Sequence, residues 1–270
     1  MPPALSAADL RFFEEHGYVV VRRAVSRSQA SRTAAEAWQV SGRDAHDPST
    51  WYSSTSSSSG QDLPSLDGLG ALESGRAAMV EPWYNRTAPR VHEAFSQLWG
   101  SERLWCSHDV VGIRPPVRAD NAIQRSPQSW EESAVTALHW DREDLYNYKK
   151  APDVRSVRDG VGPLRFGVQG LLYLTDTLPE NGALCLVPGF HRQMDTWLES
   201  MPHDSTPMEQ LLQLAQQRSG CRMRRVGGEA GDLVIWSDTL PHGSTINTGN
   251  APRIVQYLPR SRILTQHSVL

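Results

Sequence analysis

The sequence has 270 residues, of which 39% are hydrophobic, and a formal net charge of −3. This length suits one domain over 1–270, and the weak negative charge argues against nucleic-acid binding through overall electrostatics. Because no stretch approaches the ~18 apolar residues of a membrane span, and Met1–Ala8 lacks the basic flank and apolar core of a secretory signal, we expect a cytoplasmic protein without a membrane partner.

The first part of the chain predicts two helices with a strand between them. Ser6 is a suitable N-cap for a short helix, and the β-branched run Tyr18–Val21 is typical of a strand. Ser26 or Ser28 then caps a second helix that runs to about Val40, with alanines at helical spacing. We therefore expect helices ahead of the strand-rich part of the chain.

Residues 41–75 differ from their surroundings in composition. Their centre, 53–60, is a run of serine and threonine that ends in glycine. Such a segment has too little apolar surface to offset the entropy lost on ordering. The composition predicts a mobile surface loop and leaves open whether this loop acts as a lid.

The rest of the chain is predicted to alternate short strands with turns. After a helix at about 91–100, the predicted strands cover 109–114, 135–140, 167–175, 183–187, 232–237 and 253–258. One more helix is expected at 208–217, and glycine- and proline-containing turns separate the strands. This pattern predicts a mostly β core, a barrel or a sandwich, with flanking helices.

The first candidate for chemistry is His139-Trp140-Asp141. In a strand, side chains at i and i+2 share a face, so His139 and Asp141 would project together. His242 follows the strand at 232–237 and can supply a second imidazole. Two histidines and one carboxylate form the triad that binds Fe(II) and leaves three coordination positions open. Taken alone, the same residues also fit a hydrogen-bonded pair at a strand end and a histidine satisfied by a backbone carbonyl.

Arg253 supports the metal hypothesis through its spacing from His242. The turn signal Asn247-Thr248-Gly249-Asn250 lies midway between them. If the flanking strands pair as a hairpin, Arg253 lies opposite His242 on the same face. A guanidinium offers a planar fork that matches a carboxylate. We therefore predict that Arg253 binds the distal carboxylate of 2-oxoglutarate, a keto acid that would chelate the iron.

Several segments carry a family resemblance. They are LRFFEEHGYVVV (10–21), His139-Trp140-Asp141, YLTD (173–176), ENGAL (180–184), VPGFH (187–191), and GDLVIW (231–236) followed by His242-Gly243-Ser244 and Arg253. In this order, over nearly the whole chain, they resemble the phytanoyl-CoA dioxygenase family of Fe(II)/2-oxoglutarate oxygenases. The chain departs from the family at Phe190, where serine is common, and in a long polar insertion before His139.

The resemblance implies a fold and a ligand set. The implied core is a double-stranded β-helix, or jelly roll. The implied metal ligands are His139, Asp141 and His242, and the implied 2-oxoglutarate anchor is Arg253.

Four other residues are candidates for lesser roles. Gln169, on an apolar strand, is predicted to contact 2-oxoglutarate or to lie behind a metal ligand, or else to make a structural hydrogen bond. Ser244 is a candidate contact for the co-substrate. Arg114 would either face the open end of the barrel and meet an acidic substrate or lie exposed on the surface. His191 belongs, by resemblance, to a structural turn.

The sequence thus predicts a dioxygenase that uses Fe(II), 2-oxoglutarate and O2. The expected reaction hydroxylates a C–H bond of a small-molecule metabolite and releases succinate and CO2, with desaturation or cyclisation as the alternative. Asp141 argues against a halogenase, which replaces the carboxylate, and a zinc hydrolase would leave Arg253 without a role. A non-catalytic binding protein on a jelly roll stays open because fold does not fix function. The sequence identifies neither the substrate nor the oligomeric state.

Overall fold

The computed structural model describes residues 2–52, 79–106, 110–117, 138–141, 167–200, 210–211, 222–258 and 260–262. These ranges contain five α-helices: α1 (Ala7–His16), α2 (Arg27–Ser41), α3 (Glu81–Arg86), α4 (Pro89–Trp99) and α5 (Met194–Ser200). They also contain ten strands: β1 (Tyr18–Val21), β2 (Leu104–Cys106), β3 (Val110–Arg114), β4 (Val168–Tyr173), β5 (Leu184–Leu186), β6 (Arg224–Val226), β7 (Leu233–Ser237), β8 (His242–Ser244), β9 (Arg253–Tyr257) and β10 (Arg260–Arg262). None of the described helices is long and apolar enough to cross a membrane.

Local capping signals place α1 and α2 where the sequence predicts them. The Ser6 hydroxyl accepts a hydrogen bond from the Asp9 amide, and the Asp9 carboxylate accepts one from the Ser6 amide. Gly17, in the left-handed region at φ 76°, ends α1. Ser26 rather than Ser28 caps α2. These side chains satisfy backbone groups that a helix end leaves without partners.

Two antiparallel sheets form the core of the described structure. The larger sheet has the order β1-β7-β4-β10-β2, and β9 pairs with both β4 and β3. The smaller sheet has the order β6-β5-β8. β4 is therefore an inner strand, flanked on both sides by hydrogen-bonded neighbours.

The alternation of side chains along β4 separates two buried clusters. Leu171 and Tyr173 point between the sheets, where they pack with Leu184 and Leu186 of β5. Leu172 lies on the outer face and packs in a second cluster with residues of α2 and α4. Because strand side chains alternate between faces, residues at odd positions of β4 reach the space between the sheets. This arrangement confirms the predicted mostly β core with flanking helices.

The strand pairing around the turn at residue 247 differs from the predicted hairpin. β8 pairs with β5 in the smaller sheet, whereas β9 pairs with β3 and β4 in the larger sheet. The connection 245–252 therefore passes from one sheet to the other. The hairpin prediction was wrong because turn residues mark a chain reversal without specifying which strands pair.

Some predicted segments lie partly or wholly outside the described residues. The serine-rich run 53–60 is outside them, so its mobility stays a prediction. Just before it, Pro48–Thr50 forms a 3-10 turn, and the buried Trp51 packs against Trp38 with ring centroids 6.2 Å apart. Of the helix expected at 208–217, only 210–211 are described, and both are helical.

Candidate metal centre

A two-residue backbone bridge brings His139 beside His242. The His139 amide donates to the His242 carbonyl over 2.8 Å, and the His242 amide donates to the His139 carbonyl over 3.0 Å. This pairing extends the smaller sheet past β8 and places the two imidazole centroids 4.7 Å apart. Two histidines 103 positions apart in the chain are thus neighbours because of main-chain hydrogen bonds.

Asp141 completes a compact group with these histidines. Its Oδ1 lies 3.4 Å from His139 Nε2, and its Oδ2 lies 3.3 Å from His242 Nε2. The potential ligand atoms of the three residues all lie within 4.8 Å of one another. Hydrogen bonds with His139 and then His242 hold the pKa of Asp141 well below its usual range. The group therefore presents a charged carboxylate, which is the form that binds a metal.

The orientation of His242 is set by its second ring nitrogen. Nδ1 lies 3.0 Å from the Leu240 carbonyl oxygen, so it carries the proton and donates to that carbonyl. Nε2 is then the ring nitrogen that faces Asp141, 3.3 Å from Oδ2, and the one through which a metal would be bound. The ring is almost fully buried, and Trp236 packs against it with centroids 5.1 Å apart. A histidine held in this way is preorganised to bind a metal through Nε2.

Gln169 contacts the carboxylate of the triad directly. Its Nε2 donates to Asp141 Oδ2 over 2.9 Å. Its other amide atom, Oε1, is buried and has no hydrogen-bond partner among the described residues. The sequence left Gln169 a contact with 2-oxoglutarate, a place behind a metal ligand or a structural hydrogen bond, and the structure places its amide on the candidate ligand Asp141.

Arg253 is fully buried between the two sheets. Its Nη1 donates to the Gly182 carbonyl over 2.6 Å and to Ser244 Oγ over 3.0 Å. Its Nε and Nη2 are buried without a hydrogen-bond partner in the described structure. These two nitrogens form one edge of the guanidinium, which is the edge that binds a carboxylate side-on with two parallel hydrogen bonds.

The route that brings Arg253 to the site differs from the predicted one. Arg253 belongs to the larger sheet and reaches across to Ser244 of the smaller sheet. Ser244 follows His242 by two residues on β8, so both point to the same face. Arg253 therefore approaches the histidine through a contact between sheets and not across a hairpin.

Arg114, which the sequence placed either at the open end of the barrel or in solvent, is a second cation at this place. It is the register partner of Arg253 on β3, and its Nη1 donates to the Thr245 carbonyl over 2.7 Å. Burial lowers its pKa to about 10, and the positive charge of Arg253 adds to the effect. The register between β3 and β9, which sets this neighbourhood, has no signal in the local sequence.

His191 lies apart from the triad in a 3-10 turn, Phe190–Arg192. Its Nε2 lies 3.1 Å from the Glu14 carbonyl of α1. The structural turn implied by the family resemblance therefore accounts for this histidine.

Comparison with known proteins gives a family match. The model of the family Phytanoyl-CoA dioxygenase (PhyH) matches residues 13–255. A protein of Dictyostelium discoideum that carries this family's name is 25% identical over 96% of this chain and 76% of its own length.

Solved structures confirm the predicted jelly-roll core. AviO1 from Streptomyces viridochromogenes has a TM-score of 0.59 at 18% identity and covers 97% of this chain and 96% of its own. EctD from S. alaskensis, solved with 2-oxoglutarate and 5-hydroxyectoine, has a TM-score of 0.55 at 17% identity and covers 97% of this chain and 78% of its own. Since the family model matches most of the sequence, the chain belongs to the phytanoyl-CoA dioxygenase family of Fe(II)- and 2-oxoglutarate-dependent oxygenases.

Proposed function

We propose that this protein binds Fe(II) through His139, Asp141 and His242 and hydroxylates a C–H bond of a small-molecule metabolite. The proposal rests on two features that occur together. One is the compact group of His139, Asp141 and His242, and the other is the guanidinium edge of Arg253, whose Nε and Nη2 have no hydrogen-bond partner among the described residues. 2-Oxoglutarate and O2 are consumed, and succinate and CO2 are released. A hydrolase with zinc in the triad would have no use for the arginine.

The triad fits the metal in ligand type and spacing. Two imidazole nitrogens and one carboxylate oxygen are the ligands of non-haem Fe(II) oxygenases, and they leave three positions for the co-substrate and O2. The ligand atoms lie close enough to surround one ion. Asp141 supplies the negative charge, and His242 turns its Nε2 towards Asp141 by donating from Nδ1 to a carbonyl.

The buried arginine fits the distal carboxylate of 2-oxoglutarate. An uncompensated guanidinium in a protein interior is costly, because its charge and its donors lack partners. A carboxylate would supply both the opposite charge and two acceptors. Ser244 lies next to the fork and two residues from His242, so a short dicarboxylic acid can reach from the metal to Arg253.

Different residues of the chain bind the metal, orient the co-substrate and exclude water. Iron and 2-oxoglutarate, when bound, supply the oxidising chemistry. Asp141 and the two histidines hold the metal, Arg253 and Ser244 orient the co-substrate, and Trp236 shields His242 from water. The protein thus determines which C–H bond lies closest to the reacting centre.

A small-molecule substrate is supported by the position of the site, where the two sheets meet and where His139 and Asp141 are open to solvent. The similar structure of EctD holds such a molecule, 5-hydroxyectoine, together with 2-oxoglutarate.

The test of this function is a succinate-release assay on the purified protein with Fe(II), 2-oxoglutarate and a metabolite library. We expect turnover that depends on iron and that a subset of metabolites stimulates, with products one oxygen atom heavier than their substrates. The substitution Asp141→Ala should abolish this turnover. The control is Asp176→Ala, which removes an exposed carboxylate paired with Arg27 and should leave the turnover unchanged.

Two results would contradict the proposal. Full activity of the metal-free protein, or of Asp141→Ala, would exclude the triad as the metal site. Products that lack the added oxygen would instead assign desaturation or cyclisation in place of hydroxylation.

A further inference from the structure

We propose that Gln169 is a positioning residue that fixes the Asp141 carboxylate for metal binding. The inference rests on the proposed function, since it assigns a role relative to the iron triad. Its basis is the 2.9 Å hydrogen bond from Gln169 Nε2 to Asp141 Oδ2.

Asp141 is the member of the triad that most needs such a contact. Its side chain is 54% exposed, whereas that of His242 is 4% exposed and held by a backbone carbonyl. The backbone bridge between the histidines ends at His139, two residues before Asp141. An exposed carboxylate without an external partner samples several rotamers and loses that freedom on binding a metal.

Gln169 restricts the rotamers of Asp141 because it lies on an inner strand of the larger sheet. It lies on β4, which pairs with β7 on one side and with β9 and β10 on the other. Its register partner, Trp236, packs against the ring of His242. Gln169 therefore ties Asp141 to the same rigid sheet that supports His242.

The hydrogen bond also selects the oxygen that is left for the metal. Oδ2 of Asp141 accepts from Gln169, so Oδ1 remains the less engaged oxygen, 3.4 Å from His139 Nε2. Coordination through one oxygen preserves the three open positions that the reaction needs. The amide orientation is fixed as well, because a flipped Gln169 would set its carbonyl oxygen against the carboxylate.

Oε1 has no hydrogen-bond partner among the described residues, which argues that Gln169 is not present for the stability of the sheet. A buried acceptor without a partner destabilises the folded state, and an apolar residue on the same strand face would avoid this. Leu171 and Tyr173, its neighbours on that face, are fully buried in the cluster between the sheets. A leucine at position 169 is therefore compatible with the fold but has no donor for Asp141.

The test separates metal affinity from stability. Metal-free protein is titrated with Mn(II), and anaerobically with Fe(II), while thermal unfolding is measured on the same samples. We expect Gln169→Leu to weaken metal binding about 10- to 100-fold, as substitutions of residues behind metal ligands do. The melting temperature of the metal-free variant should equal or exceed that of wild type.

Gln256→Leu is the matched control. Gln256 is a fully buried glutamine on β9 that accepts from Asn85 and donates to the Pro82 carbonyl, away from the triad. This variant should lose thermal stability and keep the metal affinity of wild type.

Three results would overturn the inference in distinguishable ways. If Gln169→Leu binds metal as wild type does, Gln169 does not position Asp141, and the proposed function stands. If its affinity falls only together with its melting temperature, the residue is structural. If wild type itself binds neither metal, the proposed function fails and the inference fails with it.

Discussion

Arg253 divides its guanidinium between two tasks. Nη1 joins the sheets through the Gly182 carbonyl and Ser244, while Nε and Nη2 have no hydrogen-bond partner in the part of the chain that the structure describes. Arg114, the register partner of Arg253, places a second positive charge beside the first. In the proposed complex the distal carboxylate of 2-oxoglutarate lies next to both charges and offsets their repulsion.

Arg253→Ala should weaken 2-oxoglutarate binding without loss of iron. Removing one partner of a shielded charge pair costs roughly 2–5 kcal/mol by analogy with protein interfaces, and each 1.4 kcal/mol is tenfold. The apparent affinity should therefore fall about 30-fold or more. The affinity of Arg253→Lys for 2-oxoglutarate should lie between those of wild type and Arg253→Ala, since lysine keeps the positive charge but lacks the planar pair of donors. The measurement is a 2-oxoglutarate titration of turnover, with iron content determined on the same samples.

Arg27→Ala, which removes an exposed arginine paired with Asp176, is the control and should leave the titration unchanged. If Arg253→Ala also loses its iron, Arg253 is structural. If its 2-oxoglutarate dependence equals that of wild type, another cation holds the co-substrate, and Arg114 is the nearest one on the adjacent strand.

The candidate site could be predicted from the sequence as a set of residue types but not as a geometry. His139 and Asp141 can be predicted from strand alternation, although His139 makes only an isolated bridge. The hairpin that would link His242 with Arg253 is not formed, so their association follows from the family resemblance. The contact of Gln169 with Asp141 depends on where β4 lies in the sheet, and the place of Arg114 depends on its register with β9. These are long-range pairings, which leave no periodic signal in the local sequence.

The 3-10 turn Phe190–Arg192 packs against the C-terminal end of α1. His191 Nε2 lies 3.1 Å from the Glu14 carbonyl, and the Gly189 amide donates to the His16 carbonyl. His191 also fills the space beside Gly17, where a Cβ would lie 2.5 Å from Nδ1. Nδ1 is buried and has no hydrogen-bond partner in the described structure.

This docking should make the stability of the protein sensitive to acid. Burial lowers the pKa of His191, more than the hydrogen bond with the Glu14 backbone raises it, and Arg192 and His16 lower it further. The stabilising contribution of the neutral ring is complete above the unfolded pKa of about 6.5 and is lost as pH falls through the lower folded pKa. Urea unfolding from pH 8 to pH 5 should show less acid destabilisation in His191→Gln than in wild type.

His46→Gln removes an exposed histidine and serves as the control, so its pH dependence should follow that of wild type. Parallel stability profiles for His191→Gln and wild type would show that this turn does not respond to protonation.

The elements themselves could be predicted from the sequence more fully than their pairing. Capping residues and β-branched runs place α1, α2, β1, β4 and β7 close to their observed bounds. The strands β2, β6 and β8 have three residues each, which is too short for alternation to be recognised, and the seven residues of α5 make only about two helical turns. The turn after β8 indicates that the chain reverses, but hydrogen bonding with β5 decides the sheet to which β8 belongs.

The candidate site contains residues from both sheets. His242 and Ser244 belong to the smaller sheet, Gln169 and Arg253 to the larger one, and Asp141 to the segment bridged to β8. A metal and a co-substrate that contact all of them would connect the two layers. Ligands that bind only the folded state stabilise it by mass action.

Iron and 2-oxoglutarate together should therefore raise the melting temperature in the absence of O2. A ligand at 100 times its Kd contributes about 2.7 kcal/mol, and each kcal/mol corresponds to roughly 2–4 °C in proteins of this size. We expect a rise of about 5–10 °C for each of the two ligands, measured by anaerobic thermal unfolding with iron alone and then with both. Arg253→Ala should keep the shift caused by iron and lose the part added by 2-oxoglutarate, because the distal carboxylate then has no partner across the sheets. An added shift as large in Arg253→Ala as in wild type would mean that 2-oxoglutarate does not connect the two layers through this arginine.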